Sequence, residues 1–161
     1  MPKATVAFLY EKGCRVFVTP TLIDKNPELQ NTHPKGYDED HTYKQAPAIF
    51  DGQSVVVCEH TINAETEGLR PTNNAMGAVR HEFGHAVDHY LGYVSEKQNF
   101  RHEFYLDLGR ISVEDKVKLH YFCQTADRGP SECFAEVYSG ITGGPASDAK
   151  HRQELNKSVM E

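Results

Sequence analysis

The most informative part of the chain lies between residues 75 and 93 and reads AMGAVRHEFGHAVDHYLGY. Its apolar residues recur at spacings of three and four, which is typical of a helix that buries one face; they are Met76, Val79, Phe83, Ala86, Val87 and Tyr90. Asn73 or Asn74 can cap the start of this helix, and Gly92 can end it. The pattern therefore predicts one amphipathic helix between these positions.

Residues 81–85 within this predicted helix form the motif HExxH. Four residues make about one helical turn, so the imidazoles of His81 and His85 project from the same face and can approach one zinc ion. Glu82 lies about 100° round the helix, within reach of a water molecule on that ion. Because such a short motif also occurs by chance, the alternative is a surface helix that is rich in histidine.

A catalytic zinc ion needs a third protein ligand, with the fourth position left to water. The extended motif HExxHxxGxxH is excluded, because Asp88 and Leu91 occupy the positions of its glycine and third histidine. His89 continues the same face, but a straight helix places it too far along the axis to share the ion. We therefore favour Glu132, on a later amphipathic helix, and keep Asp107 as the main alternative third ligand.

The part of the chain before the motif predicts strands and loops. Residues 4–10 and 14–19 are apolar runs around Gly13, typical of two strands or of a short helix followed by a strand. Residues 24–45 have few apolar anchors and predict a long surface loop, whereas residues 54–58 are β-branched and predict a strand. We expect that strand at a sheet edge, where an extended peptide can add beside it.

The part after the motif predicts three more helices, over residues 100–109, over residues 113–124 with Ser112 as cap, and from Pro130 onward. The fold class that these patterns indicate is α+β. We expect a single domain, because 161 residues are close to the usual domain size; its parts are a strand and loop subdomain (1–71), a helical half with the zinc site (72–142) and a tail or partial helix (143–161).

Composition and charge exclude several classes of protein. Apolar residues make up 39% of the chain, enough for a folded core, and the longest apolar runs are far shorter than the roughly 20 residues of a membrane span. The net charge is -6 and no block of lysine and arginine stands out, so no nucleic-acid partner is expected. Four cysteines show neither the density of a disulfide framework nor a C-x-x-C pair.

Two segments, residues 78–93 and residues 131–137, closely resemble the catalytic domain of anthrax lethal factor and its smaller relatives, the secreted Pro-Pro endopeptidases. The first segment contains HEFGHAVDHYLGY, which is more specific than a bare HExxH motif, and the second reads SECFAEV. Upstream of them the resemblance is loose. It implies a zincin-like metallopeptidase fold and a Zn²⁺ cofactor.

The resemblance also implies roles for individual residues. The zinc ligands would be His81, His85 and Glu132. Glu82 would be the general base, and Glu136 would support the ligands without touching the metal.

Two further residues are left with alternative interpretations. A tyrosine that stabilises the tetrahedral intermediate is expected from the resemblance about two helical turns before the ligand glutamate, where this chain has Thr125. Tyr121 is the nearest tyrosine, and it either takes that catalytic role or packs within the helix predicted over residues 113–124. Asp88 either accepts a hydrogen bond from a ligand histidine and fixes its tautomer, or is an ordinary solvated or capping acid.

The function implied by the resemblance is that of a zinc-dependent endopeptidase, acting outside the cell on protein or peptide substrates. The cleaved segment would be proline-rich, as for the endopeptidases, or basic, as for the toxin. Tyr37, Tyr43 and Phe50 are candidates to line a proline pocket, and the acidic net charge slightly favours a basic substrate. The alternative is a non-catalytic zinc-bearing domain of a larger toxin-like protein. The sequence does not determine the oligomeric state.

Overall fold

The computed structural model describes residues 1–34, 41–73, 75–124 and 128–143. The chain begins with helix α1 (Lys3–Glu11). It then turns at Gly13, which has a φ of +91°, and continues as strand β1 (Arg15–Thr19). Of the two arrangements that the sequence left open, the structure has the helix followed by the strand. Leu9 is buried in the main core and Phe8 packs against that core, so α1 contacts the core through these two side chains.

Strands β1, β2 (Ala48–Phe50) and β3 (Ser54–Cys58) form a three-stranded sheet of order β1-β3-β2. β3 pairs parallel with β1 and antiparallel with β2. Val55 and Val56 are fully buried, and the strand predicted here is confirmed. Its predicted place at the sheet edge is wrong, because β3 has a neighbour on each side and β2 is an edge strand instead.

The segment from residue 24 to residue 45 is more regular than the predicted surface loop. It contains or adjoins three short helical pieces, namely α2 (Leu22–Lys25) and 3₁₀ turns at Pro27–Leu29 and Tyr43–Gln45. Leu22 is fully buried against β3, and Leu29 and Tyr43 pack against the same cluster. Residues 35–40, with Tyr37, lie outside the described residues. A hairpin follows the sheet, made of β4 (His60–Ile62) and β5 (Leu69–Pro71).

The C-terminal half is helical, as predicted. Its elements are α3 (Ala75–Tyr90), a 3₁₀ turn (Val94–Glu96), α4 (Gln98–Arg110), α5 (Val113–Lys118) and α6 (Arg128–Ile141). Gly92 follows α3 with a φ of +77°, and Ser112 caps α5 by accepting a hydrogen bond from the N–H of Asp115 at 3.1 Å. α5 ends before the predicted residue 124, because Leu119 leaves the helical conformation and is buried.

Two sequence predictions fall outside the described residues, the cap at Asn74 and the tail at residues 144–161. Within the described ranges, no helix has the length and apolar character that a membrane crossing requires. The four cysteines are all free thiols, and two of them, Cys14 and Cys58, are buried.

The packing of α3 positions the rest of the molecule. One side of α3 contacts β2 and β3, and another side contacts α6. The main core joins α1, β3 and α3 through buried residues Leu9, Cys14, Val55, Phe83, Ala86 and Val87. Gly84 faces α6, and a Cβ built on it would lie 2.6 Å from the Cα of Ala135. The two helices therefore meet closely because position 84 has no side chain.

Gly84→Ala should lower the free energy of unfolding by about 2–3 kcal/mol, because the added methyl group overlaps the backbone of α6. Urea unfolding measures this change. Gly140→Ala on α6 is the matched control: among the described residues, no atom outside its own helix turn lies within 4 Å of a Cβ built on it, so the same substitution should raise stability by up to about 1 kcal/mol. Equal effects at the two positions would contradict the close approach of the helices.

Candidate metal centre

α3 places the two histidines of the motif side by side. His81 and His85 are one helical turn apart, and their ring centroids lie 4.8 Å apart. Their Nε2 atoms approach each other to 3.2 Å. Both side chains are mostly buried, with 16% and 19% of their surface exposed. The helix thus presents two imidazole nitrogens to one point.

α6 brings Glu132 to the same point. Its Oε2 lies 3.1 Å from His81 Nε2 and 3.3 Å from His85 Nε2. Ligand atoms around a tetrahedral zinc ion with bonds of about 2.0–2.2 Å are about 3.3–3.6 Å apart. The three distances here, 3.1, 3.2 and 3.3 Å, lie at or just below that range, so a small outward shift of the side chains would fit them to the ion. In the part of the chain that the structure describes, these three side chains are the one such group able to hold a metal ion.

Each histidine also has a partner for its other ring nitrogen. His81 Nδ1 lies 3.4 Å from Glu136 Oε2, and His85 Nδ1 lies 3.3 Å from Ser131 Oγ. Contacts of this kind orient the rings and leave Nε2 for the metal. The resemblance predicted Glu136 as a supporting residue, and its contact with His81 suits that role. Ser131 was missed, although its place next to Glu132 was a usable signal.

The buried charges of the site depend on one another. Burial disfavours the charged form of His81, but hydrogen bonds with Glu132 and Glu136 outweigh it and raise the pKa of His81 to about 10. Burial also disfavours an ionised Glu132, but hydrogen bonds with His81 and His85 hold the pKa of its carboxyl well below its usual range. A metal ion that bound to His81 would therefore have to displace a proton from its ring.

Glu82 is tied to the edge strand of the sheet. Its Oε2 accepts a hydrogen bond from the backbone N–H of Phe50, in β2, at 2.7 Å. Both residues line the same cleft as the three ligands. Sequence reasoning missed Phe50 as a partner of Glu82, and no local signal could have revealed it, because the contact depends on how β2 packs against α3.

A cleft of about 400 Å³ opens over the ligand atoms. Tyr43 and Phe50 line it from the N-terminal half, while Tyr121 and Arg128 line it from the C-terminal half. Tyr121 lies in a turn after α5, so the alternative that it packs within a helix is wrong, and its catalytic role stays a prediction. Thr125 lies outside the described residues.

Three other candidate residues, Asp88, Asp107 and His89, do not belong to the group of three possible metal ligands. Asp88 is buried and accepts hydrogen bonds from the N–H of Ser95 at 2.8 Å and from its hydroxyl at 2.5 Å. These contacts fix the 3₁₀ turn after α3, and the support of a ligand histidine by Asp88 stays a prediction. Asp107 pairs with Arg110 at 3.1 Å and lies outside the metal-binding group, as does His89. The geometry favours Glu132 over Asp107.

Comparison with known proteins gives two findings. A family model described as anthrax toxin lethal factor, N- and C-terminal domain, matches residues 1–142. Among solved structures, the chain is similar to the Pro-Pro endopeptidase PPEP-2 from Paenibacillus alvei, with a TM-score of 0.59 and 24% identity over 98% of this chain and 78% of that chain. At this identity the likeness shows the fold alone, which is the zincin-like α+β fold predicted from the sequence. No curated protein matches.

Zinc binding should release about one proton near pH 8, and the apparent zinc dissociation constant should fall about tenfold per pH unit between pH 6.5 and about 10. The reason is that the raised pKa of His81 keeps a competing proton on the ring throughout this range. By the same linkage, protonated His81 stabilises the metal-free fold fully below pH 6.5, and this stabilisation is lost as the pH rises through about 10.

Calorimetric titration with zinc, in buffers of different ionisation enthalpy, counts the released protons. Glu136→Gln removes one of the contacts that raise the pKa of His81, so it should reduce the proton release. A zinc affinity independent of pH above about 7.5 would contradict the strong pairing of His81 with the two carboxylates.

Proposed function

This chain belongs to the anthrax toxin lethal factor family, and we propose that it is a zinc-dependent endopeptidase acting on protein or peptide substrates. The observation that supports this most directly is the convergence of two imidazoles and a carboxylate beside Glu82 in an open cleft. A structural zinc site is closed by four protein ligands, whereas this group has three among the described residues. That difference argues against the alternative of a non-catalytic zinc-bearing domain.

The proposed roles follow from the positions of the side chains. His81, His85 and Glu132 would hold the zinc ion, which when bound polarises a carbonyl group and acidifies a water molecule. Glu82 would take a proton from the attacking water and pass it to the leaving amine. Tyr121, on the wall of the cleft, would donate a hydrogen bond to the developing oxyanion.

We propose further that an extended substrate adds to the free edge of β2. The C=O of Pro47 and the N–H of Asp51 both bond to β3. Since backbone groups alternate in direction along an antiparallel strand, those of Ala48 and Phe50 face away from β3. Phe50 also lines the cleft, so the edge of β2 that faces away from β3 reaches the candidate metal site at this residue. This edge replaces the docking edge that the sequence predicted at β3.

The lining of the cleft supports a proline-rich segment as the first substrate class to test. Apolar and aromatic side chains of Tyr43, Pro47, Ile49 and Phe50 contribute to its walls, and such a surface suits the rigid, apolar proline ring. PPEP-2, which has the same fold, is a Pro-Pro endopeptidase. The net charge of -6 supports a basic segment as the second class. The proposal that the protein acts outside the cell rests on family membership alone.

A peptide-library digest read by mass spectrometry tests the activity, the metal dependence and the sequence preference together. We expect cleavage that a chelator abolishes and zinc restores. Glu82→Gln should keep the fold and the zinc content while lowering turnover by about 10²–10⁴-fold. Glu103→Gln, at an exposed position on α4, is the matched control. A library left uncut by the wild-type protein would refute the proposed activity, and brisk cleavage by Glu82→Gln would remove Glu82 from its role.

Ala48→Pro should raise the KM for a cleaved peptide by about tenfold while zinc content stays unchanged, because it removes an edge N–H that bonds no other strand in the described part of the chain. Ala48→Gly keeps the N–H and serves as the control in steady-state kinetics. Val56→Pro, in the central strand, should instead destabilise the fold by about 3 kcal/mol through a lost ladder bond and lost packing. The same KM for both Ala48 variants would count against docking at β2.

A further inference from the structure

The backbone N–H of Phe50 is an edge donor that already has a partner. β2 is an edge strand. Because Pro47 and Asp51 bond to β3 and backbone groups alternate in direction along the strand, the N–H of Phe50 points away from β3. It donates to Glu82 Oε2 at 2.7 Å, which is the length of a charge-assisted hydrogen bond. One hydrogen bond therefore joins the edge of the sheet to the middle of α3.

Phe50 is held from several sides, so its N–H is a fixed donor. Its ring packs edge-on against the rings of His89, at 5.4 Å, and Tyr90, at 6.3 Å, both on α3. Its backbone lies opposite Val55 in the ladder with β3. The hydroxyl of Tyr90 donates to the C=O of Gln53 at 3.3 Å, which ties the turn between β2 and β3 to the same helix. These contacts fix the position of β2 relative to α3 around Glu82.

A glutamate side chain has three rotatable bonds, and a general base works only when its carboxylate is held in the direction of the proton. We propose that the backbone N–H of Phe50 is the positioning group for Glu82: it anchors Oε2, so that Oε1 faces the water molecule in the cleft. This inference rests on the proposed role of Glu82 as general base. It also means that a docked substrate uses the N–H and C=O of Ala48 and the C=O of Phe50, while the N–H of Phe50 stays with Glu82.

Amide hydrogen exchange, followed by NMR on the zinc-loaded protein, tests the contact without any turnover. The amide of Phe50 should exchange at least about tenfold more slowly in the wild type than in Glu82→Ala, because the substitution leaves that N–H open to water. The amide of Ile49 faces β3 and is the internal control, with the same exchange rate in both proteins. Equal exchange of the Phe50 amide in the two proteins would overturn the inference.

A pair of variants then separates positioning of the base from binding of the substrate. Phe50→Pro removes the N–H at an edge position where proline breaks no bond to β3, and Phe50→Ala removes the same ring but keeps the N–H. Relative to Phe50→Ala, Phe50→Pro should lower kcat by about 10- to 100-fold, with KM and zinc content unchanged. A higher KM at equal kcat, or identical kinetics of the two variants, would overturn the inference.

Failure of the proposed function gives a different result from failure of this inference. A wild-type protein that cleaves no peptide refutes the endopeptidase activity, and with it the catalytic purpose of the contact. A cleaving wild-type protein whose Phe50 amide exchanges as in Glu82→Ala refutes the positioning alone. Should Phe50→Pro lose its zinc or its fold, the exchange comparison decides by itself.

Discussion

The close approach of α3 and α6 at Gly84 is the constraint on which the candidate metal centre depends. A side chain at position 84 would overlap the backbone of Ala135, so glycine alone allows the helices to meet at this separation. Glu132 lies three residues before Ala135, on the same stretch of α6, and the same approach brings its Oε2 within 3.3 Å of both histidines. The packing of α6 against α3 therefore also brings the three candidate ligands together.

α6 contributes more to the centre than one ligand. Ser131 and Glu136 lie on either side of Glu132 in sequence, and each contacts the Nδ1 of one histidine. The helix that supplies the carboxylate thus also orients both imidazoles. Because burial disfavours an isolated charge, His81 and Glu132 are stable as ions only while they face each other or a metal.

The sequence revealed what is local and periodic. The spacing of His81 and His85, the helix that holds them, the cap at Ser112 and the β-branched strand at residues 54–58 all follow from patterns within a few residues. Glu132 was within reach as a candidate third ligand because a catalytic zinc ion needs a third protein ligand and the motif helix offers none at a suitable spacing.

What the sequence could not reveal depends on contacts between distant segments. The strand at residues 54–58 is central because β1 and β2 pair on its two sides, and its composition is the same at an edge or in the middle. The partner of Asp88 is Ser95, beyond the end of α3, so its role depends on how the chain turns after the helix. The link between Glu82 and Phe50 exists only because β2 lies against α3. In each case the physical cause is tertiary packing, which no local pattern encodes.

We propose that two imidazoles of α3 and one carboxylate of α6 hold a single zinc ion. X-ray absorption at the zinc edge, on protein loaded with one equivalent of the metal, tests it most directly. We expect two imidazole nitrogens and oxygen ligands at about 2.0–2.2 Å, with no sulfur. A sulfur ligand at about 2.3 Å, as from Cys133, or a third imidazole, as from His89, would contradict it.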